Sequence, residues 1–315
     1  MDTGIRRLLT FALVGVVAQL IDGALGMAYG VTASTLLLSS GATPAVASAS
    51  VHLAEVGTTF VSGLSHHRFG NVNWRTVRWI GIPGAVGGFA GASVLSNLTA
   101  AWVKPAVATL LFLLGVNLVA RFAFGVLRKP LKPEHIKGRF LSPLGLGAGF
   151  LDAIGGGGWG PVTTPTLMTL GRMEPRTAVG SASASEFLVS LAASLGFLLG
   201  LGGQGIDYAL VGALLVGGVI AAPIAAWAVR RFPTRVMGTL VGCLVLVTNS
   251  RTLMIWAGVP GPTRLAVLLG LVAAGALLVR GSARKVKVAV RAAAAASAAE
   301  LAAGPGTTAP ASAPA

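Results

Sequence analysis

Apolar runs, most of them long enough to cross a bilayer as a helix, follow one another along almost the whole chain. They cover approximately 8 to 38, 45 to 65, 76 to 96, 101 to 126, 141 to 170, 176 to 202, 208 to 229, 236 to 256 and 263 to 280. A helix needs ~20 residues to cross the hydrocarbon core of a bilayer. Only 10% of the 315 residues are charged, which excludes an ordinary soluble domain. The sequence therefore predicts an all-α polytopic protein of the cell (plasma) membrane.

Two of these runs, the first and the fifth, are unusually long and rich in glycine. They contain DGALGMAYG at 22 to 30 and DAIGGGGWG at 152 to 160. At about 30 residues, each run is too long for one upright helix and too short for two full spans. We expect each run to be a glycine-broken helix or a re-entrant hairpin.

The same two runs mark an internal repeat. Aligning the second half of the chain with the first superimposes rare acids and glycines of the two halves. The pairs include Asp22 with Asp152, Gly26 with Gly156, Gly30 with Gly160 and Glu55 with Glu186. Because the chain has only nine Asp and Glu in all, matching two pairs of them by chance is improbable. The sequence thus predicts two homologous halves.

The charges of the loops indicate how these halves are oriented. Each loop rich in Lys and Arg has a counterpart in the other half that is poor in them, which favours inverted repeats, since short cytoplasmic loops carry the basic residues. The segments then expected in the cytoplasm are 66 to 78, 127 to 140, 171 to 176, 230 to 235 and the C-terminal tail. This orientation leaves Arg6 and Arg7 outside, against the rule. The alternative is that every apolar run crosses the membrane once.

The chain is expected to consist of five parts. We predict a first transmembrane repeat, a basic cytoplasmic connector, a second repeat, one additional transmembrane helix, and a tail that is first basic and then disordered and rich in Ala and Pro. Their bounds are 8 to 126, 127 to 140, 141 to 256, 263 to 280 and 281 to 315.

Broken helices in inverted repeats predict a binding site near the middle of the membrane. A break frees backbone N–H groups, whose partial positive charge suits an anion, and glycine lets that ligand approach closely. Hydroxyls and a histidine of the following helices are well matched to the oxygens of an oxyanion. The predicted substrate contacts are Gly26, Gly30, Ser50, His52, Gly156, Gly157, Gly160, Ser181 and Ser183.

Four acids within the apolar runs are the candidates for proton coupling. An ionised carboxylate inside the membrane costs several kcal/mol unless it is paired or protonated. Glu55 and Glu186 lie near the centres of their runs, and His52, three residues before Glu55, lies on the same helix face. Asp22 and Asp152 precede the glycine clusters, where each could instead cap the next half-helix. Four carboxylates with one histidine also suit a cation, so a cation or metal carrier remains the alternative.

Other classes of protein find little support. The sequence contains no nucleotide-binding loop, nucleophile elbow or zinc motif, and we expect no enzymatic activity, no cofactor and no resident metal. The net charge of +15 lies mostly in loops and in the tail, so it indicates membrane orientation rather than nucleic-acid binding. His66, His67 and Arg68 are expected at the level of the lipid headgroups. The expected partners are a small anion and the bilayer, and a homo-oligomer is left open.

Several strings resemble a known family. These are PAVASASVHLAEVGTTFVSGLSHHRFGNV at 44 to 72, GGGGWGPVTTPTLM at 155 to 168 and GSASASEF at 180 to 187, together with the two Asp-headed glycine segments. They are similar to the TauE/SafE family of sulfite and organosulfonate exporters, and the resemblance covers about residues 8 to 255. It implies a secondary carrier of the plasma membrane for sulfite, sulfoacetate or a related sulfur compound. Where relatives place an amide near the second glutamate, this chain has Ser183.

Overall fold

The structure, a computed structural model, describes residues 2–27, 29–98, 100–125, 137–170, 173–228 and 233–302, and no strand occurs among them. The last helix of the first half continues into a short π-helical turn, Ala120–Phe124. The first-half helices are α1 (Asp2–Leu25), α2 (Tyr29–Ser39), α3 (Pro44–Arg68), α4 (Trp74–Ser96) and α5 (Ala100–Val119). Those of the second half are α6 (Gly138–Gly155), α7 (Trp159–Leu170), α8 (Pro175–Leu201), α9 (Tyr208–Ala228) and α10 (Thr234–Trp256). A last helix, α11, spans Gly261–Ala302.

The all-α, multi-pass prediction is confirmed. Seven helices in the described part of the chain are long and apolar enough to cross a membrane, namely α1, α4, α5, α8, α9, α10 and α11. Helix α3 has 25 residues but is not among them, because buried Ser, Thr, His and Glu side chains lower its hydropathy. Its start is fixed by Pro44 and by the Thr43 hydroxyl, which accepts a hydrogen bond from the Val46 amide.

Both long glycine-rich runs are interrupted at equivalent positions. Helix α1 ends at Leu25 and α6 ends at Gly155, and each is followed by a glycine in the left-handed region, Gly26 and Gly156, both with φ of 65°. Gly157, with φ of 154°, extends the second break. Side chains with a Cβ rarely adopt these conformations, so glycine places the breaks.

The central helices of the two halves run in opposite directions. Along the contact between α3 and α8, Gly63 packs on Ala184, and the rings of Phe60 and Phe187 lie 5.5 Å apart. Further along α8, Ser190 approaches Glu55. Residue numbers therefore increase along one helix while they decrease along the other, so α3 and α8 are antiparallel. Helices α5 and α10 show the same pattern, with Gly115 against Leu246 and Gly242 against Val119.

The outer pairs of helices instead run parallel to each other. Gly15 and Gly23 of α1 pack against Leu214 and Ala225 of α9, in rising order on both helices. Helix α6 likewise runs parallel to α4, since Gly145 meets Ile80 and Gly149 meets Gly84. Helix α4 also runs parallel to α8, from the contact of Gly81 with Ser185 to that of Ala92 with Gly196. These glycines meet backbone or Cβ atoms of the neighbouring helix, so the absence of a side chain is what allows the helices so close.

The C-terminal part of the chain differs from the prediction. Helix α11 is continuous over 42 residues, so the expected boundary at 280 and the disordered tail from 281 are wrong as far as Ala302. Alanine has the highest helix propensity, which accounts for helix where low complexity suggested disorder. The helix packs on α10 through Ser282 and Thr239, whose hydroxyls lie 3.0 Å apart. Residues 303–315, and most of the predicted connector 127–140, lie outside the described residues.

Candidate functional site

The two helix breaks cross each other in the centre of the molecule. A Cβ atom on Gly30 would lie 2.7 Å from Gly157 Cα, and a Cβ on Gly160 would lie 2.5 Å from Met27 Cα. These are equivalent positions of the two halves, so the contact is reciprocal. Nothing larger than glycine fits at Gly30 or Gly160 without moving the opposite backbone.

Two hydroxyls satisfy the carbonyls that the breaks leave free. Ser34 on α2 donates to the Gly156 carbonyl, and Thr164 on α7 donates to the Gly26 carbonyl at 2.6 Å. A helix interruption inside a membrane survives only where the protein supplies such partners. Ser34 and Thr164 themselves occupy equivalent positions of the repeat, so each half completes the break of the other.

The two aspartates cap the second half-helices. Asp152 Oδ1 accepts hydrogen bonds from the amides of Gly158 at 2.7 Å and Trp159 at 2.9 Å. Asp22 Oδ1 accepts one from the Tyr29 amide at 3.5 Å. The amides of Gly26, Gly156 and Gly157 donate to the Asp22 and Asp152 carbonyls. Three of the five glycines predicted to offer backbone donors to an anion, Gly26, Gly156 and Gly157, therefore use their amides within the chain in this conformation.

A histidine connects the acids of the two halves. His52 Nδ1 lies 2.8 Å from Glu55 Oε2, and His52 Nε2 lies 3.8 Å from Asp152 Oδ2. The Ser190 hydroxyl on α8 also approaches Glu55 Oε2, at 3.4 Å. All four side chains are buried. Ligand atoms of His52, Glu55 and Asp152 all lie within 4.8 Å of one another, which is the geometry of a group that could hold a cation.

Glu186 stands apart from this network. Its side chain is buried on α8, close enough to Asp22, Glu55 and Asp152 to feel their charges. Within the described part of the chain it accepts no hydrogen bond from any group, whereas Glu55 has two polar neighbours. The two glutamates that the repeat superimposes are thus in chemically different surroundings.

The predicted serines do not form a single set. The Ser181 hydroxyl accepts a hydrogen bond from the Asn73 amide at 2.9 Å, so it fixes the connection between α3 and α4. Ser50 is buried on α3, two residues before His52. The Ser183 hydroxyl is buried and makes no hydrogen bond in the described part of the chain.

Sequence reasoning missed three kinds of residue. The pair Ser34 and Thr164 could have been found from the repeat, but a repeated hydroxyl stands out less than a repeated acid. Ser190 lies one turn after Glu186 and becomes visible only through the packing of α3 on α8. His66 was expected at the headgroup level rather than in a site; it lies in the last turn of α3, but its side chain is fully buried, whereas that of its neighbour His67 is exposed.

Membrane-crossing helices, two crossing breaks and a buried cluster of ionisable groups define a membrane transporter. A profile of the family described as sulfite exporter TauE/SafE matches residues 11–252, and the chain belongs to this family. It is 49% identical over 251 residues to the probable membrane transporter protein YtnM of Bacillus subtilis (strain 168), covering 79% of this chain and 83% of that protein. No solved structure matches the chain.

Proposed function

We propose that this transporter is a secondary carrier that moves a small sulfur-containing anion, such as sulfite or sulfoacetate, across the plasma membrane together with protons. The observation that carries the proposal is the crossing of two broken helices at His52 and four buried acids, in a chain of the sulfite exporter family. Discontinuous helices meeting near the middle of the membrane are the usual site of secondary carriers.

The directions of the helices support inverted halves with re-entrant first segments. Helices α1 and α3 both run parallel to α9, α1 through the contacts of its glycines described above, and α3 through Gly57 at Leu215 and Thr58 at Gly218. Helix α2 then returns the chain to the side from which α1 enters. By the same reasoning α6, α4 and α8 share one direction, and α7 returns. A plain crossing of every apolar run would instead make α3 and α8 parallel.

Protons and the anion are coupled by electrostatics in this proposal. Two like charges ~6 Å apart repel by about 3 kcal/mol at an effective dielectric constant of ~20, which is roughly a hundredfold in a binding constant. A site with four ionised carboxylates therefore rejects an anion. Protonation of Glu186, which accepts no hydrogen bond from any described residue, removes one of these charges and lets the anion bind, so the anion and the proton move together.

Buried polar side chains without partners are the proposed donors to the anion, because the amides of Gly26, Gly156 and Gly157 already donate to the aspartate carbonyls. In the described part of the chain these include the amide of Gln19, three residues before Asp22, and the hydroxyls of Thr32 and Ser194. An unpaired polar group inside a membrane is costly, so a bound oxyanion or water is the expected partner.

Uptake of radiolabelled sulfite into proteoliposomes under an imposed pH gradient tests this function. We expect wild-type protein to take up sulfite and Glu186→Gln to lose at least tenfold of the gradient-driven rate, because glutamine cannot release a proton. Glu174→Gln is the matched control, since Glu174 is exposed at the start of α8 and pairs with Arg176. Full gradient-driven uptake by Glu186→Gln would contradict the coupling role.

A cation carrier is the second candidate function, and one observation favours it. His52 Nε2 and Asp152 Oδ2 are both buried, face each other and make no hydrogen bond in the described part of the chain. The Nδ1 atom of His52 is held by Glu55, as a carboxylate often holds a metal-binding histidine. Uptake of Zn²⁺ or Ni²⁺ that sulfite does not inhibit, and that His52→Gln abolishes, would favour this candidate over the anion.

A further inference from the structure

We propose that the buried acids exchange protons with one side of the membrane, the side on which α3 ends, through a file of polar groups between α1, α3 and α8. The polar file consists of Ser62, His66, Asn71 and Ser183. This proposal rests on the proposed function, because the polar file supplies the proton that Glu186 carries. The file lies outside the cluster around His52.

One face of α3 is polar and buried over nearly its full length. Its polar positions follow each other at intervals of four and three residues, which is the spacing of a single helix face. They are Ser48, His52, Glu55, Thr59, Ser62 and His66. An apolar stripe would be expected where a membrane helix packs inside a protein, so this stripe links the site to the end of α3.

Helix α8 presents a matching polar face to α3. Ser183, Glu186, Ser190 and Ser194 follow each other at intervals of three and four residues, and all are buried. Gly63 packs on Ala184, so Ser62 and Ser183 flank the same helix contact. Both hydroxyls lack a hydrogen-bond partner in the described part of the chain, as expected where water molecules complete the path.

His66 lies at the outer end of the polar file. The Asn71 side-chain nitrogen lies 3.3 Å from His66 Nδ1 and donates to it, which leaves the proton of the neutral ring on Nε2. That edge of the ring lies near the backbone of Gly23, the residue after Asp22. Asn71 is buried, but Gly70 beside it is exposed, so the file ends one residue from the aqueous phase.

The pair of His66 and Asn71 can hold a proton in either position. The Asn71 side-chain oxygen has no partner in the described residues. Rotation of this amide by half a turn presents the oxygen to a protonated Nδ1, so the ring accepts a proton at Nδ1 and releases one from Nε2 to the water that completes the path towards Ser62 and Ser183. The ionisable groups around this path are Asp22 on α1, Glu55 on α3 and Glu186 on α8, while His67 and Arg68 face outward.

The opposite end of the α3 and α8 contact is closed by an apolar side chain. The Phe197 ring is fully buried and lies 6.0 Å from the His52 ring. Gly205, after the end of α8, packs on Val46 at the start of α3. On this side of His52 the contact between α3 and α8 therefore contains the Phe197 ring, whereas the polar file continues towards the end of α3.

Reaction of a cysteine with a membrane-impermeant thiol reagent tests the polar file without any substrate. In full-length Cys243→Ser protein, which removes the single cysteine, we expect Ser183→Cys to react from the side where α3 ends at least tenfold faster than Ser185→Cys. Ser185 is equally buried on the same helix, but its hydroxyl bonds to the Ser181 and Ala182 carbonyls. Adding His66→Phe should slow the Ser183→Cys reaction at least tenfold, whereas His67→Phe should leave it unchanged.

Equal rates at positions 183 and 185, or a rate at 183 that His66→Phe does not change, would overturn the proposal.

Transport gives a second readout. His66→Phe should lose at least tenfold of pH-gradient-driven sulfite uptake but keep sulfite exchange at equal pH within twofold, because exchange needs no net proton movement. Equal loss of both activities would show a purely structural role and overturn the proposal. Wild-type protein that moves no sulfite would refute the substrate, while the labelling result would still decide the path.

Discussion

At Asp152, one carboxylate oxygen accepts hydrogen bonds from Gly158 and Trp159, and the other faces His52 at 3.8 Å. The first contact holds the start of α7, and the second carries charge into the site. Asp152 thus caps a helix through one oxygen, and its proposed role in transport belongs to the other. A substitution that separates the two roles is available, because asparagine also caps helices but carries no charge.

We predict that Asp152→Asn keeps the thermal stability of the detergent-solubilised protein close to that of wild type and loses proton-coupled transport. Asp152→Ala should also lower stability, by about 1 kcal/mol, because it removes the cap. Thermal unfolding and proteoliposome uptake measure the two effects. Equal stability of the two variants would show that the cap contributes nothing.

At the residue scale, sequence patterns predicted the acids better than their partners. Glu55, Glu186 and both aspartates stand out because acids are rare in apolar runs, and all four are buried together. The choice between a capping and a coupling role for Asp152 could not be made, since both depend on where its two oxygens point. The burial of His66 was equally invisible, because its partner Asn71 lies beyond the end of the helix.

At the element scale, the two breaks depend on each other. Each free carbonyl is satisfied by a hydroxyl of the other half, through Ser34 and Thr164. The breaks themselves could be predicted from the length and glycine content of their runs. The contact between the two breaks could not be predicted from the sequence, because it requires α2 and α7 to cross with Gly30 against Gly157.

We predict that Thr164→Val destabilises the protein by ~1–3 kcal/mol, the usual cost of leaving a buried polar group unpaired. Thr163→Val is the matched control. Thr163 is equally buried, but its hydroxyl donates to the Trp159 carbonyl of its own helix, which is already part of a helical turn. Thermal unfolding should separate the two variants, and equal stabilities would contradict the reciprocal arrangement.

At the scale of the whole molecule, glycine-lined contacts fix the directions of the helices. They place α3 against α8 and α5 against α10 in opposite directions, which fits the inverted halves that the loop charges predict. One of the two arginines whose expected position outside conflicts with the positive-inside rule also has an acidic neighbour. Arg7, expected outside, lies 3.7 Å from Asp207, in the loop expected on the same side.

The side of the membrane on which equivalent loops lie tests the account most directly. Ser40 follows α2 and Met173 precedes α8, so single cysteines at these positions, in Cys243→Ser protein, report the ends of the two re-entrant segments. We predict that an impermeant thiol reagent labels Ser40→Cys and Met173→Cys from opposite sides of the membrane. Labelling of both from the same side would contradict inverted halves and the crossing that forms the site.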